Sequence, residues 1–220
     1  LVGSEMCIRD SCKCVDYGAS IMILHLNRID DKEVNVRKLE AKSVAAELGV
    51  SEYKILNNTI QEEEIPKRIL ESIRSFNPSL ILLPHLYDKH IEHCKTNFWL
   101  VEAIKKDHCS VEQVALYEIW DTLTPNALIN ISDYMDKKDK LIHKYKSQIE
   151  KYDFIDLAKS LTHYRLLSCP PKEAAKMIAI NEYRYCRRHN RPYCLPWTNA
   201  EAFCMYGVDD YISYIEMGLK

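Results

Sequence analysis

Short apolar runs alternate with amphipathic segments from residue 20 to residue 106, and that alternation leaves few folds open to the chain. Ser20-Ile21-Met22-Ile23-Leu24-His25-Leu26 reads as a buried strand, followed by an amphipathic helix over 36–48 that Gly49 closes. Tyr53-Lys54-Ile55-Leu56 reads as a second strand, and the acidic run 61–64 precedes a helix over 65–76, as the helix dipole favours. The breaker pair Asn77-Pro78 then opens a third strand, Ser79-Leu80-Ile81-Leu82-Leu83, and 94–106 carries Phe98, Val101, Glu102 and Lys105 at helical spacing. Strands alternating with helices predict an α/β, three-layer, doubly wound fold with a mainly parallel sheet. Two further strands, 113–120 and 127–131, are expected around the turn at Pro125-Asn126, then a helix capped by Ser132 or Asp133 and running to about residue 149. From Phe154 onward the pattern predicts a helical C-terminal extension, including a helix opened by Pro171-Lys172-Glu173 and running to about residue 188.

No repeat or low-complexity linker divides residues 12–220, which are expected to form a single domain. Residues 1–11 show neither helical nor strand period and resemble translated adapter sequence, so they are expected to be a foreign, disordered leader. A formal net charge of -2 gives no electrostatic footprint for nucleic acid or an anionic membrane. No apolar run approaches the roughly 20 residues of a membrane span. The nine cysteines include no Cys-x-x-Cys pair and read as reduced thiols of a cytoplasmic protein.

The chemistry-bearing residues gather between the third strand and the helix after it, in Pro84-His85-Leu86-Tyr87-Asp88-Lys89-His90-Ile91-Glu92-His93. Open α/β sheets bind their ligands at the carboxyl ends of strands, which is where this segment falls. His90 and His93 stand one helical turn apart; such a pair is either solvated at a helix start or contributes imidazole to a metal site. His85 is close enough to the strand to be a packed or supporting residue. Asp88 either orients a metal-bound histidine through its second ring nitrogen or caps the following helix. Arg37 and Glu40 lie three apart on one helix face, a spacing that usually means an exposed pair of small energetic weight. The Tyr183 to Arg191 cluster reads as a helix face that covers the core or grips a second copy, so a homo-oligomer stays open.

In order, Arg37-x-x-Glu40, Ala45-Ala46-Glu47-Leu48-Gly49-Val50, Leu83-Pro84-His85 and Asp88-x-His90-x-x-His93 resemble the PIG-L (LmbE-like) family of metal-dependent N-deacetylases. Pro125-Asn126-x-Leu128-Ile129-x-Ile131-Ser132-Asp133, Lys146-Ser147-Gln148 and Ala200-Glu201-Ala202-Phe203 are similar to the family's later pattern. The resemblance spans about residues 19–203. It implies a Rossmann-like fold, a Zn2+ or other divalent cofactor, and hydrolysis of the N-acetyl amide of an amino sugar or glycoconjugate. Residue by residue, it places His93 as a metal ligand, His90 as the group serving the oxyanion or the leaving amine, and Arg37 as a substrate contact. Asp88 would support His93. Ile91-Glu92 departs from the family's Pro-Asp, and Tyr145 stands where many relatives have histidine.

The family's first motif, His-Pro-Asp-Asp-Glu, brings two metal ligands and the general base on the first strand, and this chain holds no copy of it. The expectation is an N-terminally truncated deacetylase, inactive as given. Two alternatives remain: a non-catalytic sugar- or nucleotide-binding relative, and an unrelated Rossmann-like domain. The absence of Gly-x-Gly-x-x-Gly among five glycines argues against nucleotide binding by a glycine-rich turn.

Overall fold

A computed structural model describes residues 8–26, 34–56, 60–107, 110–168 and 198–218. The chain runs α1 (Ile8–Asp16), β1 (Met22–Leu26), α2 (Val34–Leu48), β2 (Glu52–Leu56), α3 (Ile65–Phe76), β3 (Leu80–Pro84), α4 (Ile91–Lys106), β4 (Gln113–Tyr117) and β5 (Ala127–Asn130). It continues through α5 (Met135–Ile142), α6 (Lys146–Ile149), α7 (Phe154–Ser168), β6 (Ala200–Gly207) and α8 (Val208–Met217).

The helix ends follow from local chemistry. Gly49 takes φ +76 after α2, and the Gly49 and Val50 amides return to the carbonyls of Ala46 and Ala45, a pairing that closes a helix through a left-handed residue. Asn77 does the same for α3 at φ 56, its N–H donating to the Ile73 carbonyl at 2.7 Å. In α3, Ile65, Ile69, Leu70 and Ile73 face inward at the spacing of one helix stripe.

Two apolar clusters sandwich the strands. Leu24, Leu83, Val114 and Leu116 pack on one side with α3, α4 and α8. Ala115, Tyr117 and Phe203 pack on the other with Ala41, Val44 and Leu48 of α2, Leu141 and Ile142 of α5, and Phe154 and Ala158 of α7. Adjacent strand residues thus serve opposite faces, and strands buried on both sides explain why their sequences lack polar alternation.

The sheet departs from the mainly parallel expectation. β1 pairs with β2 and β3 with β4 in parallel, but β6 runs antiparallel between β4 and β5, so the architecture is a mixed α/β one. β6 lies in the stretch expected to be wholly helical. Its Ala200-Glu201-Ala202 opening has weak strand propensity, and pairing on both edges overrides it. β4 and β5 accordingly flank β6 instead of each other.

The single helix expected over 132–149 is broken. After a short 3-10 turn at Ser132–Tyr134 and α5, Tyr145 leaves helical geometry at φ -83, ψ 58. Glu40 then accepts hydrogen bonds from the Ser147 amide at 3.0 Å and hydroxyl at 2.7 Å, which starts α6 as a separate turn. The expected boundary after Ser11 falls inside α1, where Ser11 and Cys12 are 2% and 0% exposed. Residues 1–7, and the expected helix over 171–188, lie outside the described residues.

The strands form two groups, β1-β2 and β3-β4-β6-β5. Between them opens a cavity of about 260 Å³, lined by Ile21 and Met22 on one side and Leu80, Ile81 and Leu82 on the other. Leu24 and Leu26 share one apolar cluster with Ile81 and Leu83, and Ile23 shares the other with Leu80 and Leu82. β1 and β3 therefore contribute to the same two apolar clusters, with the cavity between residues 21–22 and 80–82.

Candidate functional site

β3 ends at Pro84, and residues 85–90 turn the chain into α4, whose N-cap is His90. Two buried side chains fix this turn to its surroundings. Asn97, fully buried one turn beyond His93, donates its amide to the carbonyls of Pro84 at 3.0 Å and His93 at 3.2 Å. Tyr211 of α8 donates its hydroxyl to the Asn97 side-chain oxygen at 3.1 Å. Strand end and helix start are thereby held as one unit, the kind of rigid support a precise site requires.

Asp88 is the hub of the turn. It is 5% exposed, and its Oδ1 accepts from His93 Nδ1 and from the His90 amide, both at 2.9 Å. Oδ2 accepts from the Trp120 amide at 3.1 Å. Burial alone would raise this carboxyl's pKa, but the hydrogen bonds from His93, His90 and Trp120 outweigh it and hold the pKa below the usual range. Asp88 thus holds the His93 imidazole and also the His90 amide at the start of α4.

An ionised carboxylate only accepts, so Nδ1 of His93 carries a proton, and in the neutral imidazole Nε2 is the nitrogen with the lone pair. His90 lies alongside, ring centroids 4.8 Å apart. Burial lowers the His90 pKa, His93 and Arg37 push it the same way, and Asp88 and Glu92 oppose them. Cys94 donates its thiol to the Asp88 carbonyl at 3.0 Å, and burial raises its pKa, so it braces the turn as a thiol. His85 is 4% exposed with Nε2 3.2 Å from the Asp121 carbonyl, the supporting position expected of it.

Arg37 and Glu40 both reach α6, unlike the exposed helix pair that their spacing suggests. With its amide set by its surroundings, the Gln148 side-chain oxygen accepts from Arg37 Nε at 2.6 Å and Nη2 at 3.1 Å, while Glu40 holds Ser147. This two-point latch ties α2 to α6 through Arg37 and Glu40.

The sequence reading missed Asn97, Trp120, Gln148 and the buried pair Glu118–Arg165. Only Asn97 left a local signal, a polar residue inside an otherwise apolar helix stripe, four positions from His93. Among the described residues no group of three or more His, Cys, Asp or Glu side chains could hold a metal ion. Both Asp88 oxygens are committed to hydrogen bonds, so these residues offer one oriented imidazole, His93, and not a complete metal site.

No family model matches the chain. Its sequence is similar to the diacetylchitobiose deacetylase of Thermococcus kodakarensis, 26% identical over an alignment of 168 residues covering 62% of each protein. The chain thus spans somewhat less than two thirds of that relative's length. Its fold matches that of a conserved protein from Thermus thermophilus, with TM-score 0.68 and 18% identity over 91% of this chain and 88% of the other. It also matches the N,N'-diacetylchitobiose deacetylase of Pyrococcus horikoshii, solved with an inhibitor, with TM-score 0.66 and 18% identity over 94% and 82% of the two chains. The mixed α/β architecture is therefore one that this chain shares with both solved structures. No helix among the described residues is long and apolar enough to cross a membrane.

Proposed function

We propose that this chain carries the histidine half of a metal-dependent N-deacetylase, hydrolysing the N-acetyl amide of an amino sugar or glycoconjugate. The observation that carries the reading is the orientation of His93: Asp88 accepts its Nδ1–H, with the His90 ring alongside, at the turn that follows β3. Metal-ligating histidines are oriented by a carboxylate in the same way. Sequence likeness to a diacetylchitobiose deacetylase supports the substrate class. Zn2+ or another divalent ion is the proposed cofactor and supplies Lewis acidity to the acetamide.

The chain's own residues then divide the work. His93 would hold the metal through Nε2, with the remaining ligands supplied from outside the described residues. His90 presents its ring N–H to the acetamide oxygen as that oxygen gains charge, or passes a proton to the departing amine. Arg37, its Nε and Nη2 held by Gln148, is the proposed substrate contact.

The gap between β1 and β3 supports the second half of the proposal. A strand seated there parallel to β3 would end beside the 85–90 turn, because β3 itself ends there. We read the gap as the seat of a strand bringing the remaining ligands and the general base, and expect the chain by itself to be inactive. The test is acetate release from an N-acetylglucosamine oligomer, with and without Zn2+, by the chain joined to an apolar strand ending in His-Pro-Asp-Asp. Zinc-dependent release supports the reading. Sugar binding without release, in a protein that holds zinc, would favour a non-catalytic binding domain.

A further inference from the structure

The carboxyl end of β4 continues into residues 118–123, an irregular loop whose backbone serves the site directly. The Trp120 amide donates to Asp88 Oδ2, and the Asp121 carbonyl lies 3.2 Å from His85 Nε2. Such a loop must be held by something, because no ladder fixes its backbone groups. Here the holder is a buried ion pair that no neighbouring sequence position announces. Arg165 of α7 is 3% exposed and Glu118 7%. Arg165 Nε donates to Glu118 Oε2 at 2.9 Å, and its Nη2 donates both to Glu118 Oε1 and to the Leu123 carbonyl, the latter at 2.8 Å. Glu118 Oε1 in turn accepts from the Leu123 amide at 2.7 Å. Both ends of the loop are thus tied to one guanidinium.

We propose that Arg165 is a positioning residue for the histidine site: through Glu118 and Leu123 it fixes the 118–123 loop, the loop's Trp120 amide fixes Asp88, and Asp88 fixes the proton of His93 on Nδ1. The functional weight of this chain of contacts rests on the deacetylase reading; the chain of contacts itself does not. A bare structural pair would change stability alone. A positioning pair also changes which nitrogen of His93 carries the proton, because a carboxylate freed on one oxygen can rotate away from the imidazole. Lysine cannot replace the fork, since one ammonium cannot hold Glu118 Oε2 and the Leu123 carbonyl in the same geometry.

The experiment uses nitrogen-detected NMR of His93 in the chain as it stands. The variants are Arg165→Lys, which keeps the charge, and Glu118→Gln with Arg165→Met, which removes both charges together and strands neither. His93 in the parent should be the Nδ1–H tautomer, and Asp88→Ala, which removes the acceptor, is the control that should release it. Both Arg165 variants, judged folded by a cooperative melt, should move His93 toward the Nε2–H tautomer and exchange the Nδ1 proton about tenfold faster, as expected for loss of one hydrogen bond's support. Unchanged tautomer and exchange in either folded variant would overturn the proposal. Should the double variant fail to fold, Arg165→Lys alone decides it. A shifted tautomer in a protein whose strand-completed form releases no acetate would sustain the positioning role and count against the deacetylase reading.

Discussion

His93 and Asp88 are joined at 2.9 Å between Nδ1 and Oδ1, and that bond decides which face of the imidazole is available for chemistry. Asp88 is itself committed three ways, to His93, His90 and Trp120, so the histidine is aimed by a carboxylate that has little freedom to move. Replacing Asp88 with Asn keeps the shape but offers one acceptor oxygen where there were two. In the strand-completed protein this substitution should weaken Zn2+ binding by about 10- to 100-fold, the usual effect of losing a ligand's orienting partner. A competitive zinc titration reads the change directly, and an affinity within twofold of the parent would remove Asp88 from its assigned role.

Arg37 is the residue whose proposed work is binding, and Gln148 is what points it. Arg37→Ala and Gln148→Ala should raise KM for an N-acetylated sugar, by about tenfold for Arg37 if it contributes one charged hydrogen bond, and by less for Gln148. Both should leave kcat nearly unchanged. Steady-state kinetics on the completed protein checks this, and a fall in kcat with constant KM would place Arg37 in the transition state instead.

The turn and its histidines were legible in the sequence because they depend on short-range signals. Asn77-Pro78 bounds an apolar run, and His90 and His93 stand at i and i+3 behind it. Their support was not legible. Glu118 and Arg165 lie 47 positions apart and meet only through tertiary packing. β6 was hidden for a related reason: Ala200, Glu201 and Ala202 carry little intrinsic strand preference, and only the ladders to β4 and β5 make them a strand. α1 begins at Ile8, inside the stretch expected to be a leader, and Ser11 and Cys12 on it are buried.

His25 links the β1-β2 pair to acid stability. Burial pushes its pKa down from 6.5 to about 4, and the Tyr53 hydroxyl lies 3.2 Å from its Nδ1. In the unfolded chain the imidazole takes a proton below about pH 6.5, whereas in the fold it stays neutral until about pH 4. The unfolded state therefore binds more protons in that window, and stability should fall as pH drops through it, by up to about 3 kcal/mol. Denaturant melts of the chain and of His25→Gln between pH 7 and pH 4 test this; the substitution should flatten the slope, and identical slopes would refute the assignment to His25.

The central claim is that two adjacent histidines hold different offices, His93 binding the metal and His90 acting during the reaction. The most direct measurement is zinc stoichiometry together with acetate release for the strand-completed protein, its His93→Ala variant and its His90→Ala variant. Loss of both zinc and turnover is predicted for His93→Ala, whereas His90→Ala should retain one zinc and lose about 100-fold or more of kcat, the range for a missing acid-base or oxyanion group. The original chain, without the added strand, should release acetate no faster than background. Robust turnover by that chain, or full zinc binding and activity in His93→Ala, would contradict the account.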